Sequence, residues 1–236
     1  MRHLKHILIV GVLGIVLLVG WAAYTVFKTP AAASAITAIP LAPGAATVSG
    51  TDGVTTTADA VVLRISQADS EARFVIDEVL NGTPKTVVGT TDQVAGEIAV
   101  DPDNLAQTQV GVIQVNARDL TTDNDFRNRA IKNQILQTDQ YEYITFTPIE
   151  ISGLPQNGTV GELYSFQIVG DLTIRGVTKR VTFDVTAQAI STSRIEGTAT
   201  ATINYADYGI TIPRVPQVAS VADQVRLELD FAATAA

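Results

Sequence analysis

Between Leu163 and Ala189 apolar and polar residues alternate, and the alternation pauses only at a turn. Tyr164, Phe166, Ile168, Leu172 and Ile174 share one parity, and Val181, Phe183, Val185, Ala187 and Ala189 share one parity after the turn at Gly176. A period of two places one set of side chains on one face, which a helix cannot do. A strand buried on both faces would not alternate, so a parallel sheet covered by helices is a poor host for this pattern. The segment therefore predicts a long antiparallel hairpin with one face in a core and one in water.

The same pattern recurs along the chain. Strands are expected over Val61 to Ile65, Glu71 to Leu80, Val87 to Val100, Val110 to Ala117, Tyr143 to Ile151, Leu163 to Ile174, Lys179 to Ala189, Arg194 to Tyr205 and Val225 to Phe231. Gly89 and Gly96 would permit bends or bulges in the third of these. Eight or nine such strands joined by short turns favour an up-and-down barrel or a sandwich, and closure removes exposed edges. Asp123 to Gln137 breaks the pattern and reads as one helix covering an open end. Thr122 and Asp125 have capping-box spacing, and Phe126 with Ala130 and Ile131 with Ile135 offer i,i+4 apolar pairs. Asp123 and Asp125 also have Ca²⁺-loop spacing, but Asn128 and Gln134 stand where such a loop needs Gly and Glu. No metal site is expected.

Composition narrows the chemistry. The chain of 236 residues has no cysteine, and its only histidines are His3 and His6. Thiol chemistry, disulfides, and imidazole-based catalysis or zinc ligation are therefore outside the reach of the β-rich part. Asp171, Asp184 and Asp207 are the carboxylates weighed for acid–base work. They fall on exposed parities or in turns, so no catalytic residue and no enzyme is expected. All 24 acidic residues lie beyond Lys28, an acidic balance that repels nucleic acid.

Ile7 to Phe27 carries no charge and follows Arg2 and Lys5. At 1.5 Å per residue it spans roughly 30 Å as a helix, about a bilayer's hydrocarbon thickness. Trp21 and Tyr24 suit its outer interface, and the positive flank keeps residues 1–6 cytoplasmic, with the rest of the chain outside. A secreted form cleaved near Ala31-Ala32-Ala33-Ser34-Ala35 is the alternative. Residues 28–60, rich in Ala, Thr, Gly, Ser and Pro, read as a flexible tether, with an edge strand left open over Ala46 to Gly50. A β-domain over 61–233 completes the organisation.

The inward faces are uneven. Phe74, Ile144, Phe146, Tyr164, Phe166, Phe183 and Phe231 are large, whereas Ala187, Ala189, Gly197, Ala199 and Ala201 are small. Either the large residues fill the space opposite the small ones, or a ligand does. The inward set as read here holds no charge, so a ligand would be apolar over most of its length.

Several motifs carry a family resemblance. Gly170-Asp171-Leu172-Thr173-Ile174-Arg175-Gly176-Val177-Thr178-Lys179 resembles the signature hairpin of the YceI-like family. In order along the chain, Ser70 to Phe74, Val94 to Ile98, Leu120 to Arg127, Tyr141 to Phe146 and Tyr205 to Ile210 resemble that family's other segments. Asn128 and Ala130 replace its acid and histidine after the helix-start arginine. Glu142 and Arg180 replace prolines, changes expected to be structurally mild. The resemblance implies an all-β, lipocalin-like antiparallel eight-stranded β-barrel with one capping α-helix, here preceded by a single transmembrane helix. It implies an extracytoplasmic lipid-binding protein holding an isoprenoid or quinone-type chain in its lumen, with no other cofactor. The lining expected from the inward parities is Phe74, Ile76, Ile144, Phe146, Phe166, Ile168, Phe183, Val185, Ala199, Ala201, Leu229 and Phe231. A structural or adhesive surface domain with a filled core is the alternative.

Overall fold

A computed structural model describes residues 28–41, 46–48, 60–101, 104–213 and 218–235. The hairpin is present as β10 (Leu163–Ile174) and β11 (Val177–Ser191), in register from Leu163 opposite Gln188 to Ile174 opposite Val177. Its two-residue turn holds Arg175 at φ 52° and Gly176 at φ 74°. Two left-handed residues match the twist of the flanking strands, which is why glycine is placed there.

The other strands are β1 (Ala46–Val48), β2 (Val61–Ile65), β3 (Glu71–Leu80), β4 (Thr83–Thr91), β5 (Val94–Ala95), β6 (Glu97–Val100), β7 (Gln109–Val110), β8 (Ile113–Asn116), β9 (Tyr143–Ser152), β12 (Arg194–Asn204), β13 (Val218–Val221) and β14 (Gln224–Ala235). Several short strands act as parts of one wall. β14 pairs with β2 along one half and β3 along the other, so β2 and β3 form one staggered strand. β4 pairs with β3, and β6 with β2. β6 then pairs with β7 and β5 with β8, and β8 leads through β9, β10, β11 and β12 back to β14. The antiparallel ladder thus curls round and returns to its first strand. Gly96 sits at the break between β5 and β6, where its carbonyl accepts from Ile65 N–H at 3.0 Å. β1 pairs antiparallel with β7 and parallel with β9, so the strand left open in the sequence covers Ala46–Val48.

The helical segment is shorter and differently capped than its sequence suggests. α1 spans Asp125–Ala130 and continues as a π turn over Ile131–Ile135. Asn124, not Thr122, is the N-cap, and its side chain accepts from Arg127 N–H at 3.0 Å. Asn128 instead accepts from the Thr122 N–H and hydroxyl, both at 2.7 Å. Ile131 is buried, but Phe126 is 69% exposed, so the Phe126–Ala130 pair is not part of the core face.

The small inward residues are partly explained by aromatic rings. Phe74 lies opposite Gly89 and Phe231 opposite Gly197. A Cβ at Gly197 would stand 2.8 Å from the Phe231 ring and 2.5 Å from the Thr186 carbonyl oxygen, and one at Gly170 2.5 Å from the Phe146 ring. These rings lie against the wall where no side chain stands. Gly89 is therefore a seat for an aromatic ring rather than a bend.

The apolar run 7–27 lies outside the described residues. Among the described residues no helix is long and apolar enough to cross a membrane. Residues 28–41, expected as free tether, lie as a strap on the barrel. Glu142 accepts from Ser34 N–H at 2.6 Å and from its hydroxyl at 3.1 Å. Asp139 pairs with Lys28 and accepts from Ala31 N–H, Glu97 accepts from Leu41 N–H at 3.0 Å, and Asn116 and Arg118 donate to strap carbonyls. Within the strap, Ile36 is buried. The segment has too little apolar area to order itself, and charge-assisted bonds to carboxylates supply the ordering energy. Glu142, a departure from the family motif expected to be mild, is a principal anchor.

Two predictions follow from this packing. Gly197→Ala forces a Cβ into backbone and ring and lowers stability by about 1–3 kcal/mol, measurable by denaturant unfolding. The second concerns pH. Lys28, with Ala31 N–H, holds the Asp139 carboxyl below its usual value; burial alone would raise Glu142, but Ser34, Asn116 and Arg118 hold it below. Depressed carboxylates contribute stability above the ordinary carboxylate range, and that contribution is lost as pH falls below about 4. Amide hydrogen exchange over 28–41 is therefore expected to accelerate relative to the barrel at acid pH and not near neutrality.

Candidate ligand cavity

The closed ladder encloses a cavity of about 410 Å³, within the size range of small-molecule sites. It runs the length of the barrel. Leu120, Ile131, Ile135, Leu136, Ile210, Ile212 and Val221 line it at the helix end, and Leu105, Leu154 and Val160 at the far end. Between these ends the wall is built by inward parities of successive strands.

The structure places Phe74, Ile76, Ile144, Phe146, Phe166, Ile168, Phe183, Val185, Ala199, Leu229 and Phe231 on this wall. Ala201 is buried at 8% exposure but does not line the cavity. Phe146 and Phe183 meet edge to face with ring centroids 4.9 Å apart, which holds both rings against the wall. The lining also includes residues that parity did not supply. The helix segment contributes Ile131, Ile135 and Leu136, and the segment between β12 and β13 contributes Ile210 and Ile212.

One expectation is corrected. The inward set does contain charge: Glu78 is 9% exposed and lines the cavity at the helix end. Its Oε1 accepts from Arg127 Nη2 at 2.8 Å, and Arg127 also pairs with Asp123. Asp123 in turn accepts from Lys85 Nζ at 2.7 Å. Extending the even parity of Ala72, Phe74 and Ile76 by one step reaches Glu78, so the signal was present. Its partner is forty-nine residues away in sequence and is brought there by α1.

The carboxylates weighed for catalysis lie elsewhere. Asp171 pairs with Arg180 at 2.7 Å across the hairpin, and Asp184 accepts from Gln167 at 2.7 Å, both on the exposed face. Asp207 is exposed in the turn after β12. In the same turn Tyr208 is buried, and desolvation pushes its hydroxyl up to about 12. Among the described residues no group of His, Cys, Asp or Glu is arranged to hold a metal ion. The cavity therefore offers a largely apolar sheath, with the Glu78–Arg127 pair at its helix end and the paired Arg73 and Glu228 also among the lining residues. Such a sheath holds a chain by burial, and the helix-end pair can meet a polar end group.

Comparison with known proteins agrees with this architecture. The YceI-like domain matches residues 63–233. A UPF0312 protein of Staphylococcus aureus is 30% identical over 162 residues, covering 65% of this chain and 85% of that one. Among solved structures, a polyisoprenoid binding domain from Saccharophagus degradans implicated in plant cell wall breakdown superposes with a TM-score of 0.58 at 17% identity. It covers 75% of this chain and 99% of that one. BcnA of Burkholderia cenocepacia superposes with a TM-score of 0.57 at 19% identity, covering 72% and 99%.

The ion pair yields a double-mutant test. Glu78→Leu alone leaves Arg127 with only the exposed Asp123 as partner and one guanidinium nitrogen against an apolar wall, and stability is expected to fall by about 1–3 kcal/mol. Combining it with Arg127→Met removes both charges and is expected to recover most of that loss, as a coupling energy from unfolding of all four proteins.

Proposed function

Since the chain belongs to the YceI-like family, we propose that it is a membrane-tethered, extracytoplasmic lipid-binding protein. An isoprenoid or quinone-type chain occupies the lumen, for transport, storage or sequestration. The observation that carries this reading is the cavity itself. An apolar void of about 410 Å³ forfeits contacts all along its walls if nothing fills it. Burial of a chain there gains roughly 25 cal/mol per Å² of apolar surface. The polar end of the ligand lies at Glu78 and Arg127, the charged pair at the helix end of the lining. A related fold described as polyisoprenoid-binding supports the choice of lipid class. Residues 7–27 anchor the chain, with residues 1–6 cytoplasmic and the β-domain outside. The acidic surface makes nucleic acid a poor partner.

The test is extraction and mass spectrometry of lipid from the purified full chain, with binding of the apolar fluorophore N-phenyl-1-naphthylamine as a second readout. A long-chain lipid is expected in the extract, and an isoprenoid alcohol is expected to displace the fluorophore. Ala199→Trp places an indole in the lumen and is expected to weaken fluorophore binding by roughly tenfold or more. An extract without lipid, together with no fluorophore binding by the parent protein, would instead support a filled structural domain.

A further inference from the structure

The docked strap determines which end of the barrel lies nearest the anchor. Lys28 directly follows Phe27, the last residue of the apolar run. Its backbone carbonyl accepts from Asn133 Nδ2 at 2.8 Å, in the π turn that continues α1, and its ammonium pairs with Asp139. The strap then runs away from the helix end. Ser34 meets Asn116 at the close of β8, Ile36 meets Gln67 between β2 and β3, and Leu41 meets Glu97 in β6. The tether read from composition would have left some thirty residues of slack, enough for any orientation. With residues 28–41 bound to the wall, no free linker separates Phe27 from the helix end.

That end carries a surface suited to lipid. Phe126 is 69% exposed on α1, and the Arg129 guanidinium lies 5.6 Å from its ring centroid. Phe126 lies about 10 Å from Asn133 along the helical segment. An exposed aromatic ring beside an arginine suits the interfacial layer of a bilayer, where rings and cations meet anionic headgroups. The far end also exposes Val160 and Leu163, so apolar exposure alone does not choose between the ends. The strap does.

We propose that the strap holds the barrel with its helix end, and Phe126, against the surface of the bilayer that carries residues 7–27. A lipid leaving that bilayer then passes into the lumen tail first at the helix end, and its polar end stops at Glu78 and Arg127. This rests on the reading of residues 7–27 as an anchor.

The absence of cysteine makes the test direct. Arg129→Cys at the helix end and Ser193→Cys at the far end are each labelled with bimane in the full chain. The protein is reconstituted in phosphatidylethanolamine–phosphatidylglycerol vesicles with and without doxyl-labelled lipid. The bimane at 129 is expected to lose most of its fluorescence to the doxyl lipid, and the bimane at 193 none. Adding Glu97→Ala, Asp139→Ala and Glu142→Ala, with release of residues 28–41 verified by faster amide exchange, is expected to abolish that difference while N-phenyl-1-naphthylamine binding is unchanged, since none of the three lines the cavity. Equal quenching at both positions, or quenching at 193 alone, in protein that floats with the vesicles overturns the orientation and leaves the anchor standing. A difference that survives strap release overturns the role of the strap. Protein that does not float with the vesicles overturns the anchor, and this inference with it.

Discussion

Every backbone N–H and C=O along the walls of this barrel needs a partner, and the ladder meets that need by returning to its own first strand. The rest follows from that closure. A ring of this size has an interior that side chains can fill or that can hold one ligand. Here several inward aromatic rings are seated on glycines of the neighbouring strand. Phe74 and Phe231 lie opposite Gly89 and Gly197, and Phe146 lies over Gly170. Glycine on the wall draws the rings outward and leaves an apolar channel along the axis.

Ion pairs join elements of the barrel at several places. The Glu78–Arg127 pair joins α1 to the barrel wall and is the charged feature of the helix end of the cavity. Between β3 and β14, Arg73 bonds Glu71, Glu228 and Asp230, tying the two strands and holding the Glu228 carboxyl below its usual value. The strap is held by a third set, Glu97, Asp139 and Glu142, which accept backbone N–H groups from a segment with little apolar surface of its own. Burial alone would raise the Glu97 carboxyl, but Arg64 and Leu41 N–H hold it below its usual value, as their partners do for Asp139 and Glu142.

The legible part of the fold was the part written with a local period. Glu71–Leu80 and Leu163–Ile174 carry the bounds their alternation suggested, because side-chain direction in a strand follows from position alone. The same rule placed Phe74, Phe166 and Phe183 on one interior wall. It failed where a residue's role depends on something distant. Glu78 satisfies the parity but gains its meaning from Arg127. Phe126 has helical spacing from Ala130 yet faces outward, because the barrel meets the other side of α1. Thr122 has the capping spacing, but Asn124 holds the cap.

The sequence by itself determined that this chain makes long antiparallel strands with one apolar face, lacks the side chains for thiol or imidazole chemistry, and resembles the YceI-like family. Those are properties of residue type and order, which survive without any knowledge of neighbours. Only the tertiary structure set an apolar cavity of about 410 Å³ along the interior, an ion pair at its helix end, and residues 28–41 against the wall. Each depends on distances between groups far apart in the chain: a ring against a glycine on the next strand, a helix arginine against a strand carboxylate, a strap N–H against Glu142. Composition records which groups are present, and closure of the barrel sets which of them meet.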